Sequence, residues 1–463
     1  MEFVFFTILF VIALIGLASA KLHKPTLKNY YLADQALSPF LSGLSAMATN
    51  NSGYMFIGLI GFTYLKGLSS IWLMIGWILG DFIITQIIFK KMIPVGHQSD
   101  KVTYASIIGD WCRNIHVTKF IAVLSFFFLI IYASAQFAAS GKTLMVIMDW
   151  QFYSGILVGG IIVILYSLVG GIRASIWTDA AQSLVMIIAM GILACFAIVE
   201  MGGVSSVIKT WSALDGYLNF FDPTHSTPYA LFSALSWIAA GIFVVAQPHI
   251  MIRFFAVKDK NALQKSRTYY YTGFIIFYGL AFLVGMLSRI YLGNINEFDP
   301  ELALPTMAQM LFDPFLLGVI IAGIFAATMS TADSLIINCS GNISHDILGI
   351  NTYSNFLVKL ITLGVAISAI LLALINDNSV FTLVVFAWTI LGFLFTPIIL
   401  MIYIGKKIQM LHLFISSGIG FSLFCWINYF NYYPDVYLGL FPFLFCTFYL
   451  FISLKKDNYK KEK

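Results

Sequence analysis

Charge is what this sequence has least of. Its 463 residues include 26 Lys and Arg and 21 Asp and Glu, 10% in all, while 60% are hydrophobic. A soluble domain carries about 25% charged residues, so a single water-facing core is excluded. Long polar stretches are also missing. The segments between apolar runs reach only roughly 20–30 residues, which leaves no room for a soluble domain. Cysteine is sparse: Cys112, Cys195, Cys339, Cys425 and Cys446 are odd in number and lack metal-ligand spacing. That excludes a disulfide framework or zinc site and leaves small buried hydrophobes. The alternating segments of about ten residues that build a membrane β-barrel are absent. No Ser-His-Asp, zinc or phosphate-loop signature occurs, so an enzyme has little support. The net charge of +5 sits in short loops and does not point to nucleic acid.

What the chain has is apolar runs long enough to cross a bilayer, for which about 20 residues suffice. Thirteen are marked, near 2–20, 38–63, 69–89, 118–147, 152–170, 174–200, 227–250, 267–292, 304–343, 354–375, 379–404, 408–430 and 434–454. The fourth and ninth exceed one crossing, which predicts tilt or a loop-facing extension. The first ends in Ala-Ser-Ala, like a signal-peptidase site, but its start carries Glu2 and no Lys or Arg. It reads as a retained helix with its N-terminus outside. The basic residues then fall on one side: Lys21, Lys24, Lys28, Lys90, Lys91, Lys101, Arg113, Arg173, Arg253, Lys258, Lys260, Lys265, Arg267, Lys406, Lys407 and the tail 455–463. Lys66, Lys142, Lys209 and Arg289 are left opposite. By the positive-inside rule the first set is cytoplasmic, and the C-terminus with it.

Three polar clusters interrupt the apolar runs. An ionisable side chain at the centre of a membrane helix costs roughly 2.5–3.5 kcal/mol on insertion scales, so each is a functional candidate. In LSAMATNNSGY (44–54), Asn50, Asn51, Ser52 and Gly53 compete with or weaken helical backbone bonding. They predict either a local break lining a site or a hydrogen-bonded packing face. In GGIRASIWTDAAQ (170–182), the two glycines make a turn, and Asp179 and Gln182 enter the next run. Asp179 either pairs near the surface, with Arg173 as one partner, or lies on an ion path. In AATMSTADS (326–334), helical geometry aligns Gly323, Ala327, Ser330, Ser334, Asn338 and Gly341, flanked by Thr331 and Asp333. Such an oxygen-bearing stripe is either a cation site or a small-residue packing face. A weaker signal is AQPHIMIRFF (246–255): Pro248 predicts a kink, Arg253 reads as a positive-inside anchor, and His249 as a structural residue at a helix end. His345 and Asp346 read as a helix terminus rather than a metal pair.

Taken together, in order and at these spacings, these four motifs resemble the sodium:solute symporter family over residues 30–404. The resemblance implies an all-α polytopic membrane fold of about thirteen transmembrane helices. Within it lies a five-plus-five inverted repeat with broken helices, one extra N-terminal helix and two extra C-terminal helices. One transporter domain would span 1–454, with repeats at about 38–200 and 227–404 and a short basic tail at 455–463. It implies a sodium (Na+) site built from carbonyls of Ala48, Asn51 and Ala327 and hydroxyls of Ser330 and Thr331. Some members resemble a two-sodium design, whose second site would involve Asp179, Ser330, Asp333 and Ser334. By position, Ser52, Gly53, Tyr54, Tyr132, Gln136 and Trp237 are candidate solute contacts. The sequence departs from the proline-carrier pattern. Asn50 stands where those carriers have an aspartate, Asn51 replaces an apolar residue, and Val244 and Ala240 stand where they have aromatics. Tyr132 matches.

The implied function is sodium-coupled import of a small organic solute by alternating access across a plasma membrane, bacterial by resemblance, with no protein partner indicated. Proline or another amino acid, a monocarboxylate, sialic acid or another sugar all remain open. The rivals are proton coupling through Asp179 or Asp333, and a transporter-like sensor.

Overall fold

A computed structural model describes residues 1–20, 26–221, 226–293, 298–350, 355–376, 379–430 and 437–455. Lys21, Lys24 and residues 456–463 of the basic tail lie outside them. Among the described residues the fold is helical, and extended pairing is limited to one isolated bridge between Leu37 and Val257.

The helices are α1 (Glu2–Ala20), α2 (Leu27–Leu32), α3 (Pro39–Asn50), α4 (Ile60–Lys66), α5 (Ile71–Gln98), α6 (Tyr104–Trp111), α7 (Ile115–Met148), α8 (Phe152–Glu200) and α9 (Val204–Ser212). They continue with α10 (Thr227–Ile242), α11 (Pro248–Phe255), α12 (Lys260–Leu292), α13 (Ala303–Leu311), α14 (Pro314–Gly341), α15 (Asn355–Ile375), α16 (Val380–Tyr403), α17 (Met410–Phe430) and α18 (Leu440–Ser453). Among the described residues, ten segments are long and apolar enough to cross a membrane, and Phe152–Leu165 and Leu440–Ser453 are shorter apolar helices. Thirteen spans were expected. The fifth and thirteenth are the two shorter helices, and in the second the α3 half is too short to count alone while the α4 half runs through a 3₁₀ turn into α5.

Local sequence explains the interruptions. Ser38 caps α3, accepting from the Leu41 amide at 3.3 Å, with Pro39 in the first turn. The helix stops at Asn50, because Asn51 takes φ −91° and ψ 65°. A π-helical turn, Met55–Leu59, then restarts the path into α4. Near the other break, α10 tightens into a 3₁₀ turn over Phe243–Ala246. Gln247 becomes extended (φ −100°, ψ 99°) before Pro248, which opens α11. A residue before proline is pushed out of the helical region, so the sequence dictates this second break. Within α8, Gly171 adopts φ 57°. A Cβ there would lie 2.7 Å from the Tyr30 carbonyl, so only glycine fits this turn.

The long helix α14 runs through the centre, packed against α8, α7, α3 and α1. Every residue from Leu317 to Ile337 except Val319 is buried. Phe5 of α1 meets Phe325 of α14 edge to face at 5.0 Å. Several of the basic residues bind carbonyls or acids of neighbouring segments. Lys91 donates to the Tyr403 carbonyl (3.1 Å), and Lys406 to those of Phe451 (2.9 Å) and Leu454 (2.8 Å). Lys142 pairs with Asp299 and Glu301, each at 2.7 Å, and Arg289 lies over the Tyr64 ring. Arg253 is fully buried, so its reading as a surface anchor is corrected.

Candidate functional site

The first break meets the stripe of α14. Ser330 Oγ donates to the Ala48 carbonyl at 3.3 Å and to the Ala327 carbonyl at 3.2 Å. Thr331 Oγ1 donates to the Thr49 carbonyl at 3.2 Å. Two hydroxyls and three carbonyls thus converge where α3 ends, without a fixed charge. The structure brings Ala48, Ala327, Ser330 and Thr331 together. The hydroxyls reach Thr49 rather than Asn51, whose buried amide Nδ2 and Oδ1 have no hydrogen-bond partner.

One turn along α14, the polar groups form a different object. Asp179 Oδ2 accepts from Ser45 Oγ at 2.7 Å and from Arg253 Nη2 at 3.0 Å, and both ionic side chains are fully buried. The same guanidinium donates from Nε to Ser45 Oγ at 3.0 Å, and from Nη2 to Ser175 Oγ at 3.3 Å and to Ser334 Oγ. Its Nη1 donates to the His249 carbonyl. Ser334 Oγ in turn donates to the Ser330 carbonyl at 2.6 Å. The partner of Asp179 is therefore Arg253, not Arg173, which donates to the Ala33 carbonyl at 2.8 Å. Asp333 borders this group, accepting from Ser167 Oγ and from Ser175.

Five of the six candidate solute contacts gather at the break. Tyr132 donates to Ser52 Oγ at 3.3 Å, and the Gly53 amide donates to Gln136 Oε1 at 2.9 Å. Gly53 cannot be larger, since a Cβ would stand 2.6 Å from Thr328 Cγ2. Tyr54 stacks on Phe381 at 5.4 Å, and Phe381 stacks on Phe62 at 5.5 Å. Trp237 is elsewhere. It lines a cavity of about 400 Å³ together with Phe62, Lys66, Trp72, Phe381 and Tyr437. Phe381 belongs to this wall and to the Tyr54 stack, so it stands between cavity and break.

Sequence reasoning missed two residues here. His249 is fully buried with both ring nitrogens unpartnered, its ring edge-on to Tyr132 at 5.3 Å. Gln247 Oε1 is likewise unpartnered, while its Nε2 donates to the Trp388 carbonyl at 3.2 Å. With the free atoms of Asn51, Tyr54 (Oη) and Gln136 (Nε2), they leave open polar groups around both breaks. Buried polar atoms are normally satisfied, and these leave unused hydrogen-bonding capacity there. The proline in QPH was the available signal, because it predicts unwound backbone beside these side chains.

Two broken helices facing one another, with unwound carbonyls and open polar groups between them, define the site of a secondary transporter. The profile of the sodium:solute symporter family matches residues 30–411, and the chain belongs to that family. It is accordingly a sodium-coupled solute transporter and not an enzyme. It is 30% identical over 404 residues to the sodium/proline symporter of Salmonella typhimurium, covering 80% of this chain and 76% of that one. It is 28% identical over 417 residues to sodium/proline symporter 2 of Staphylococcus saprophyticus, covering 86% and 80%. A solved Na+-coupled sialic acid symporter in a substrate-bound outward-open state shares the fold, with TM-score 0.79, 17% identity and 98% coverage of both chains. A nucleobase-cation-symport-1 family transporter in a closed conformation superposes less closely, at TM-score 0.62 and 13% identity, covering 93% of this chain and 96% of that one.

Proposed function

We propose that the chain imports an amino acid, with proline as the first solute to test, together with one sodium ion. The observation carrying this reading is the seam between α3 and α14, where the Ser330 and Thr331 hydroxyls meet the Ala48, Thr49 and Ala327 carbonyls. Uncharged oxygens at an unwound helix suit a monovalent cation that must bind and leave. The carbonyl of Asn51 completes the shell as the ion enters. The second sodium position is occupied instead by Arg253, whose guanidinium donates to Asp179 Oδ2 and to Ser334 Oγ, while Asp179 Oδ1 has no partner.

The solute lies against Ser52, Gly53, Tyr54, Tyr132 and Gln136, with Asn51, Gln247 and His249 supplying the remaining hydrogen bonds. Trp237 meets it earlier, in the cavity. That cavity opens outward in the expected orientation, N-terminus outside and C-terminus cytoplasmic in a plasma membrane. The names of the relatives favour proline, and the uncharged character of the open groups suits a zwitterion. The two breaks, in α3–α4 and in α10–α11, take equivalent places in the two inverted repeats. Sodium favours the solute-competent state, which is the thermodynamic content of coupling.

Uptake of radiolabelled proline into proteoliposomes tests this. A sodium gradient drives accumulation, and replacing sodium with choline abolishes it. Equal uptake under a proton gradient without sodium would overturn the coupling, and sodium-driven uptake of a different solute class would overturn the amino-acid assignment.

A further inference from the structure

Asp81 is a carboxylate that neither the sodium seam nor the Arg253 hub uses. It lies mid-way along α5, fully buried. Its Oδ2 accepts from Tyr270 Oη at 2.5 Å, and its Oδ1 from Tyr271 Oη at 2.8 Å. Arg267 does not reach it. That guanidinium makes long hydrogen bonds, 3.4 Å each, to Gln86 Oε1 and Thr85 Oγ1, and lies over the Phe89 and Tyr271 rings. An ionisable group in a membrane helix without a paired cation is a functional candidate.

Two features of the network concern its charge. First, Tyr270 Oη also accepts from Asn50 Nδ2 at 2.6 Å. Asn50 is the last residue of α3, immediately after the Ala48 and Thr49 carbonyls. The carboxylate is thus one phenol away from the break. Second, the other side of the network can reverse. Tyr271 Oη and Thr85 Oγ1 are 2.6 Å apart, with either able to donate, and Thr85 Oγ1 lies 3.2 Å from the Phe82 carbonyl. With Asp81 ionised, Thr85 donates to Tyr271, which donates to Oδ1. With a proton from water on Oδ1, Asp81 donates to Tyr271, Tyr271 to Thr85, and Thr85 to the Phe82 carbonyl. Every hydroxyl keeps a partner in both states, because each carries one donor and two acceptor sites.

We propose that Asp81 is a reversible proton-binding site that sets sodium affinity at the broken helix through Tyr270 and Asn50. Ionised, it draws the Tyr270 hydroxyl toward itself, and that hydroxyl holds the Asn50 amide and the adjoining carbonyls in place for the cation. Its negative charge also favours a cation nearby. Protonation removes the charge and slackens the pull on Tyr270, so sodium binds more weakly at acid pH. Half-buried Tyr271 and Arg267 mark the side from which the proton arrives.

The other elements packed on α5 contribute little charge at this point. Facing groups on α12 are Tyr270, Tyr271, Arg267 and, farther off, Tyr278. From α11, Arg253 is held by Asp179 and His249 packs on Tyr132. On α6, Tyr104 donates to the Val245 carbonyl and Asp110 accepts from Ser99. The backbone of α10 reaches Asp81 at Gly241 without a charged side chain.

This inference rests on the sodium reading above, and one experiment separates the two. Equilibrium binding of radioactive sodium to the purified protein is measured across an acid-to-alkaline pH series, for the unsubstituted chain, Asp81→Asn and Tyr270→Phe. The unsubstituted protein binds sodium more tightly as pH rises. Asp81→Asn weakens binding at alkaline pH by roughly tenfold, a common size for coupling between sites, and flattens the pH response. Tyr270→Phe keeps the carboxylate but cuts its link to Asn50, and also flattens the response. If Asp81→Asn does not fold, the unsubstituted series and Tyr270→Phe still decide. PH-independent binding by the unsubstituted protein, or a full pH response in the folded variants, would overturn the role of Asp81 and leave the sodium site standing. No sodium binding at any pH would overturn both.

Discussion

Ser330 and Ser334 stand one turn apart on α14, and the groups around them do opposite things. Around Ser330 the oxygens are backbone carbonyls and hydroxyls, with no ionic side chain bonded to any of them. Around Ser334 a fixed cation, Arg253, is locked to Asp179 by a buried ion pair and to three serines. The first arrangement suits an ion that comes and goes. The second binds α3, α8, α11 and α14 together through fixed charges. Neutral oxygens and a fixed ion pair thus lie one turn apart along one helix.

The largest effect should come from breaking the fixed pair. Asp179→Ala strands a buried guanidinium and should cost about 3–5 kcal/mol of stability, read as a lowered unfolding temperature in detergent. Asp179→Ala combined with Arg253→Met should cost less than Asp179→Ala alone, because no charge is left unpaired. At the neutral seam the pattern should reverse. Ser330→Ala with Thr331→Val should leave the unfolding temperature nearly unchanged while raising the sodium concentration for half-maximal uptake roughly tenfold, about 1.4 kcal/mol. A collapse of stability there would merge the two regions into one structural core.

Smaller still is the expected effect at the second break. Gln247→Ala or His249→Ala should raise the KM for solute by about 1 kcal/mol in binding terms and leave sodium dependence near that of the unsubstituted protein. A sodium defect instead would move these residues to the cation side of the comparison. Lys142→Met removes two ion pairs, to half-buried Asp299 and to buried Glu301, whose carboxylate keeps the Val380 and Phe381 amides, and should cost about 1 kcal/mol, measured by the same thermal unfolding.

The sequence made much of this legible, for local reasons. Asn50 to Gly53 and Pro248 are strong backbone signals, and the two breaks fall at them. The stripe on α14 follows from helical angle, but naming Ser330 and Thr331 as sodium ligands rested on the family resemblance. What it could not reveal were partners from other helices. Arg253 lies 74 residues from Asp179, and a basic residue near the end of an apolar run reads equally well as a surface anchor. Asp333 shares the MST motif, but which neighbour it faces depends on α8, and it bonds Ser167 there. Asp81 had a signal that went unused, a lone acid inside the apolar run WILGDFII. Its tie to Asn50 through Tyr270 is a matter of packing between α3, α5 and α12, which no periodicity encodes.

The central claim is that sodium binds once, at the seam between Ala48–Thr49 and Ser330–Thr331, because Arg253 already fills the neighbouring cation position. The direct test is the number of radioactive sodium ions bound per purified chain at saturation. One ion per chain, lost in Ser330→Ala/Thr331→Val, is the predicted result. Two ions per chain, or binding unchanged in that double variant, would contradict it.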